Sequence, residues 1–397
     1  DKATGIIKYT GNKENHMVTK DILYIGVNDH DLDLFEGQYI IPNGIAYNSY
    51  VIMDEKIAIM DTVDKRKCGE FMENLKNALG DRKPDYLIVQ HVEPDHASSI
   101  KAVVDAYPDI QIVTSGGATR ILPLYFDLDF SGVQVVKEGD ELCLGKHVLT
   151  FITAPMVHWP EVIMTYDKTD KVLFSADGFG KFGALDVEED WDCEARRYYF
   201  NIVGKFGQQV QDVLKKAAGL DIQTICPLHG PILKETIGHV LEQYQTWSTY
   251  GVETEGVFIA YVSMHGNTAD AAHKMAEILE AKGCPKVAIS DLAREDSAEA
   301  LEDAFRYGKV VLAAPTYNMG VNPIMGDFLH HLSIKNYQNR TIGIIENGSW
   351  SPNAAKTMKE TLAAMKNINV LKHVTIRGAL KESDTEALSA LADALLA

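Results

Sequence analysis

The sequence predicts two α/β domains in tandem: a layered fold on a mostly antiparallel core over residues 1–250, then a doubly wound fold over 251–397. Three observations carry this. The chain has 397 residues, enough for two domains that each bury a full core. Its first part opens with short runs such as "DILYIGV", "AYNSYVIMD" and "KIAIMDTV", rich in β-branched and aromatic residues between turn signals, and only then reaches an amphipathic stretch, "RKCGEFMENLKNALG". After "TYGVETEG" the pattern alternates regularly: "VFIAYV", "TADAAHKMAEILEAKG", "KVAISD", "SAEALEDAFRYG", "KVVLAAP", "PIMGDFLHHLS", "TIGIIE", "AAKTMKETLAAM", "VTIRG" and "DTEALSALADALLA". Such βα alternation builds a parallel sheet whose ligand sits at the carboxyl ends of the central strands.

Composition limits the function. The net charge is −18 with both signs mixed along the chain, so nucleic acid is not an expected partner. No apolar run approaches the roughly 20 residues that span a bilayer, and "DKATGIIKYTGNKENH" lacks a signal-peptide pattern. A cytoplasmic protein is expected. The five cysteines are scattered without a C-x-x-C pair, which argues against a disulfide framework or thiolate-bound metal and leaves them as buried small hydrophobes.

In the first domain, hydrophobic strands end repeatedly in metal-competent side chains. "YLIVQ" runs into "HVEPDH", which holds His91, Glu93, Asp95 and His96; "LTFITA" leads to His158 in "PMVHWP"; "VLFSAD" ends at Asp177; "TICPLHGP" ends at His229. One such residue at a strand end is ordinary. Four strand ends of this kind in one domain point to a shared site. Imidazoles and carboxylates without a thiolate suit iron or manganese, and seven candidates suit two ions. Three carboxylates about 4 Å apart would repel by roughly 4 kcal/mol per pair at an effective dielectric near 20, so the cluster needs cations. His239, inside the helix-like "KETIGHVLEQYQTW", rivals His229 on spacing alone.

The second domain carries three loops at strand ends. In "SMHGNT", the hydroxyls of Ser263 and Thr268 and the backbone N–H groups of Met264, His265, Gly266 and Asn267 at a helix start can hold a phosphate dianion. No G-K-[ST] follows, so this is not a Walker motif. "PTYNMG" offers Pro315, Thr316, Tyr317, Asn318 and Gly320, and "NGSW" offers Asn347, Gly348, Ser349 and Trp350. Tyr317 and Trp350 can lie against a flat ring while the small residues leave backbone amides free. FMN is the implied ligand.

H-x-E-x-D-H, followed by His158, Asp177 and the histidine of "PLHGP", resembles the metal domain of the flavodiiron proteins (A-type flavoproteins). The resemblance covers essentially the whole chain. It implies an N-terminal metallo-β-lactamase-like αββα sandwich, a C-terminal flavodoxin-like domain, one FMN and a pair of non-haem irons. His91, Glu93 and His158 would hold one iron and Asp95, His96 and His229 the other, with Asp177 bridging and His96 either on the metal or behind it. It also implies reduction of O2 to water or of NO to N2O in an anaerobe, a separate donor (rubredoxin or a reduced deazaflavin), and a head-to-tail homodimer or a dimer of dimers. Two rival readings are a metal-dependent hydrolase of the lactamase fold with a flavodoxin module, against which Glu93 weighs where the zinc enzymes use His, and a flavin carrier without metal.

Overall fold

The computed structural model describes residues 17–397; the N-terminal stretch read above for a signal peptide lies outside them. Two compact units emerge: residues 1–199 with 208–245, and 200–207 with 246–397. The chain therefore passes into the second unit slightly earlier than the pattern change suggests. It also visits that unit briefly at 200–207, a contribution that has no local sequence signature.

In the first unit a six-stranded sheet runs, edge to edge, Ile22–Tyr24, Tyr50–Ile52, Ala58–Met60, Tyr86–Val89, Gln111–Ser115, Gln134–Val136. Its first two pairings are antiparallel and its last three parallel. A five-stranded sheet runs Glu141–Cys143, Val148–Thr153, Ile163–Asp167, Val172–Phe174, Thr224–Cys226, with three antiparallel pairings and a parallel one at the end. The expected mostly antiparallel core is thus corrected to a mixed one. Parallel pairing needs helical crossovers, and helices Cys68–Leu79, Ile100–Ala106 and Gly207–Ala217 precede or join these strands. The inner faces form one apolar cluster, with Ile52, Met60, Ile88 and Val113 from one sheet and Leu149, Phe151, Ile163 and Phe174 from the other.

The metal-type residues sit where strands stop. Tyr86–Val89 is buried beyond its first residue, and the turn after it is held by Asp61. Asp61 Oδ1 accepts from Gln90 N–H at 2.7 Å and Oδ2 from the Gln90 side chain at 2.9 Å. Glu93 is then the N-cap, with extended backbone, of a short helix Pro94–Ala97 that has proline at its first position. The sequence "HVEPDH" therefore divides: His91 and Glu93 leave an extended segment, while Asp95 and His96 ride the first turn of the helix. Thr62 pins that helix, its hydroxyl donating to His96 O at 2.6 Å.

The second unit is a parallel sheet in the order Val287–Asp291, Thr254–Tyr261, Tyr307–Tyr317, Arg340–Asn347, then a final position shared by Ile368–Val370 and Val374–Ile376. This is the expected doubly wound order, with the last strand broken in two. Of the cysteines expected in cores, Cys226 alone is buried and Cys143 is exposed.

Asp61 is buried with φ 57, a left-handed conformation that Asn tolerates as well as Asp. Burial pushes its carboxyl up to about 6 despite the two Gln90 donors. Asp61→Asn is therefore expected to keep wild-type urea stability within about 1 kcal/mol, because the Gln90 amide can turn to present its oxygen. Asp61→Ala leaves the Gln90 donors unpaired and should cost about 1–3 kcal/mol; equal losses in both variants would refute this anchoring role.

Candidate metal centre

The seven candidate ligands converge in the first unit as two groups, His91, Glu93, His158 and Asp177, and Asp95, His96 and His229; within each group one ligand atom per residue lies within 4.8 Å of the others. Asp177 faces both. Its Oδ2 lies 3.2 Å from His91 Nε2 and 3.2 Å from His158 Nε2, and its Oδ1 lies 3.2 Å from His96 Nε2 and 3.7 Å from His229 Nε2. Glu93 Oε2 is 3.2 Å from His91 Nε2 and 3.0 Å from His158 Nε2, while Asp95 Oδ2 is 3.1 Å from His229 Nε2 and 3.3 Å from His96 Nε2. His239 is elsewhere, exposed and 2.6 Å from Asp192.

Partners behind the cluster fix two of the rings. His229 Nδ1 lies 2.7 Å from Ala46 O; a carbonyl only accepts, so Nδ1 carries a proton and Nε2 is the nitrogen turned to the two aspartates. His91 Nδ1 lies 2.8 Å from Glu161 Oε1 in the same manner, the carboxylate–histidine arrangement common around metals. His96 Nδ1 has no acceptor among the described residues. Sequence reading missed Glu161. Its only signal was a charged residue at the mouth of the buried strand "VIMTY". Tyr198 was missed too, for lack of any pattern: its ring lies 5.7 Å from His229 and 5.2 Å from Phe182, and its hydroxyl is buried without a partner among the described residues.

The residues fit a pair of cations. Both oxygens of Asp95, Oδ1 of Asp177 and both ring nitrogens of His96 are buried without a hydrogen-bond partner, an arrangement that is costly unless another group completes it. In the metal-free chain the charges are settled by protons instead. For Glu93, burial works to raise the carboxyl, and the hydrogen bonds to His158 and His91 outweigh it and pull it down; Asp177 lies well below its usual range through His96, His158 and His91, against burial. Burial opposes charge on His158 too, but Asp177 and Glu93 lift it to about 9, and His91 is raised well above its ordinary value by Asp177, Glu161 and Glu93.

The flavin-type loops of the second unit also converge. They line a cavity of about 450 Å³ that includes Met264, His265, Asn267, Thr268, Pro315, Thr316, Tyr317, Asn318, Asn347, Gly348, Ser349 and Trp350. Ser263, Gly266 and Gly320 do not line it. The Ser263 hydroxyl is turned inward to accept from Gly266 N–H at 3.1 Å, Gly266 takes φ 91 at the N-cap of Asn267–Ala281, and Gly320 pairs with Tyr317 in a small hairpin. Met319 and Gly378 line the cavity in addition. Thr316 and Asn347 also brace the loops: the Thr316 hydroxyl accepts from Asn353 and Ala354 N–H groups, and the Asn347 amide exchanges two hydrogen bonds with Gly378. The backbone N–H groups at the helix start have no intrahelical partners. Tyr317 and Trp350, 45% and 70% exposed, leave broad apolar faces open to a planar ring.

Comparison with known proteins agrees with both sites. Residues 45–230 match the ODP family beta lactamase model and residues 258–390 the flavodoxin domain model. The chain is 31% identical to a nitric oxide reductase of Moorella thermoacetica over 88% of this chain and 90% of that one. It superposes on the rubredoxin oxygen:oxidoreductase of Desulfovibrio gigas with a TM-score of 0.89 at 28% identity, covering 96% and 97% of the two chains. A variant of the flavo di-iron protein of Thermotoga maritima gives a TM-score of 0.85 at 25% identity, covering 94% and 96%.

An imidazolium cannot ligate, so metal entry must expel protons. Adding Fe(II) anaerobically to metal-free protein at pH 7 should release about two protons per chain, from His91 and His158, and affinity should fall by about a hundredfold per unit of acidification. The same raised values stabilise the metal-free fold fully below pH about 6.5, and for His158 that contribution is lost as pH rises through about 9. Metal uptake without proton release would contradict this charge assignment.

Proposed function

The chain belongs to the flavodiiron proteins, and we propose that it is the oxidoreductase that reduces O2 to water, NO to N2O, or both, protecting an anaerobic cell. The observation that carries the reading is Asp177, with one oxygen toward each of two ligand groups. FMN and a di-iron centre are its cofactors: bound flavin would supply one- and two-electron chemistry, and a bound ferrous pair a place for a small diatomic to be reduced. We assign His91, Glu93 and His158 to one iron, Asp95, His96 and His229 to the other, and Asp177 to both. The flavin phosphate is assigned to the N-terminus of helix Asn267–Ala281, and its ring to the faces of Tyr317 and Trp350. Glu161 and Ala46 hold the Nδ1 side of His91 and His229, so that Nε2 is the nitrogen each ring turns to the metal. Glu93, where the zinc hydrolases of the fold use His, weighs against the hydrolase, and seven convergent ligands against a metal-free carrier.

The donor in this reading is a separate rubredoxin, the alternative being a reduced deazaflavin. Among the described residues no helix is long and apolar enough to cross a membrane, and a cytoplasmic location is part of the proposal.

Purified protein should carry one FMN and two irons per chain. Asp177→Ala is expected to abolish O2 and NO reduction while flavin reduction by the donor proceeds at the wild-type rate, because the second unit is untouched. Measured turnover above about a tenth of wild type would remove Asp177 from the centre.

We also propose a head-to-tail dimer in which the FMN of one chain serves the irons of its partner. Mixing Asp177→Ala with an Asn267→Ala/Thr268→Ala variant that has lost FMN should then restore activity in the mixed dimers. If all mixtures stay inactive although subunits exchange, transfer runs within one chain.

A further inference from the structure

The metal centre uses one end of each strand that feeds it. Val148–Thr153 runs on toward His158, and Val172–Phe174 toward Asp177. At the opposite ends of the same two strands stand His147 and Asp170, while Asp21 precedes the edge strand Ile22–Tyr24 of the other sheet. The 6 residues of Val148–Thr153, at about 3.3 Å each, put about 20 Å between His147 and the loop that carries His158. The two places are separate.

Asp21, His147 and Asp170 each offer one ligand atom, all within 4.8 Å of one another, although they come from three distant segments. The His147 side chain is fully buried, and its Nδ1 lies 2.9 Å from Oδ2 of Asp167, which is fully buried as well. Asp167 is fixed in turn by the backbone N–H groups of Thr169 and Asp170, at 3.2 and 3.1 Å. The ring is thereby held, and Nε2 is the nitrogen it presents to Asp21. Glu161 and His91 form the same carboxylate–histidine pair at the metal centre.

Nε2 of His147 lacks a well-formed hydrogen bond. The oxygen it faces, Asp21 Oδ2, is 3.4 Å away, beyond the range of about 2.7–3.2 Å for N–H···O bonds. That separation suits two ligands of one ion: donors about 2.0–2.1 Å from zinc stand about 3.4 Å apart across a tetrahedron. The carboxylate–imidazole pairs of the metal centre span 3.0 to 3.7 Å. Charge points the same way. Asp54 adds a further carboxylate, its Oδ2 accepting from His147 N–H at 2.6 Å, and Lys146 Nζ, 2.6 Å from Asp21 Oδ2, is the cation that meets the group. The Lys146 side chain is 56% exposed, so it can turn to water when a doubly charged ion enters. The Thr19 hydroxyl donates to Asp170 Oδ2 and leaves Oδ1 open.

We propose that Asp21, His147 and Asp170 bind one divalent cation of the zinc class, with water completing the coordination. An imidazole nitrogen beside two carboxylates suits Zn(II), whereas Ca(II) and Mg(II) take oxygen ligands. The ion ties the segment before Ile22–Tyr24, in the six-stranded sheet, to two strand starts of the five-stranded sheet. It clamps the two sheets together at the ends away from the metal centre. Neither FMN nor iron takes part.

The test equilibrates the holoenzyme, as purified, with micromolar Zn(II). Wild type should take up about one zinc per chain without losing iron, and anomalous diffraction at the zinc edge should place that zinc beside His147. Affinity should fall at least about tenfold in His147→Gln and in Asp170→Asn, and rise in Lys146→Ala, which removes the competing ammonium. Asp170 lies in a turn and is only half-buried, so its variant decides the question if His147→Gln does not fold. Zinc should also raise the unfolding temperature of wild type and leave that of Asp170→Asn unmoved. No zinc uptake by wild type, an anomalous peak only at the seven ligands of the metal centre, or an unchanged affinity in Asp170→Asn each overturns the site.

Discussion

Three carboxylates, Asp177 buried and Glu93 and Asp95 half-buried, held within reach of four imidazoles are the constraint around which the first unit is organised. Asp177 is the centre of that arrangement, since its two oxygens face different ligand groups. Like charges this close are tolerated only when something cancels them. In the metal-free chain protons on the histidines do so, and with cations bound those protons must leave. Folding, metal uptake and the protonation of the site are therefore one linked equilibrium.

What makes the cluster possible is the behaviour of strand ends. A strand buried on both faces cannot carry polar side chains along its length, but the residues just past it emerge where two sheets diverge. Tyr86–Val89, Val172–Phe174 and Thr224–Cys226 deliver His91, Asp177 and His229 in this way. The exits to His91 and His229 are then stiffened by polar contacts that leave Nε2 free for the metal: Asp61 on Gln90, Glu161 on His91 Nδ1, Ala46 O on His229 Nδ1. Such contacts set the tautomer and ring orientation that decide which lone pair faces inward.

The second unit solves a different problem. Several of the polar side chains near its cavity, those of Ser263, Thr316 and Asn347, hold the loops together. This leaves backbone N–H groups and aromatic faces to meet a ligand. A site built so recognises a phosphate by geometry and a planar ring by its faces, with little fixed charge of its own.

The sequence by itself determined the two-domain α/β organisation, because hydrophobic periodicity is local, and it determined the candidate metal residues, because imidazoles and carboxylates after apolar strands are rare enough to stand out. His229 was separable from His239 on the same ground, the one following a strand and the other inside a helix. Tertiary structure alone decided which Asp177 oxygen faces which group, that residues 200–207 belong with the second unit, that Ser263 turns away from the cavity, and that Glu161 and Tyr198 stand around the metal residues. Each of these depends on contacts between segments far apart in the chain, Glu161 with His91 or Tyr198 with His229. A contact of that kind leaves no local pattern in either segment, so only the folded chain reveals it.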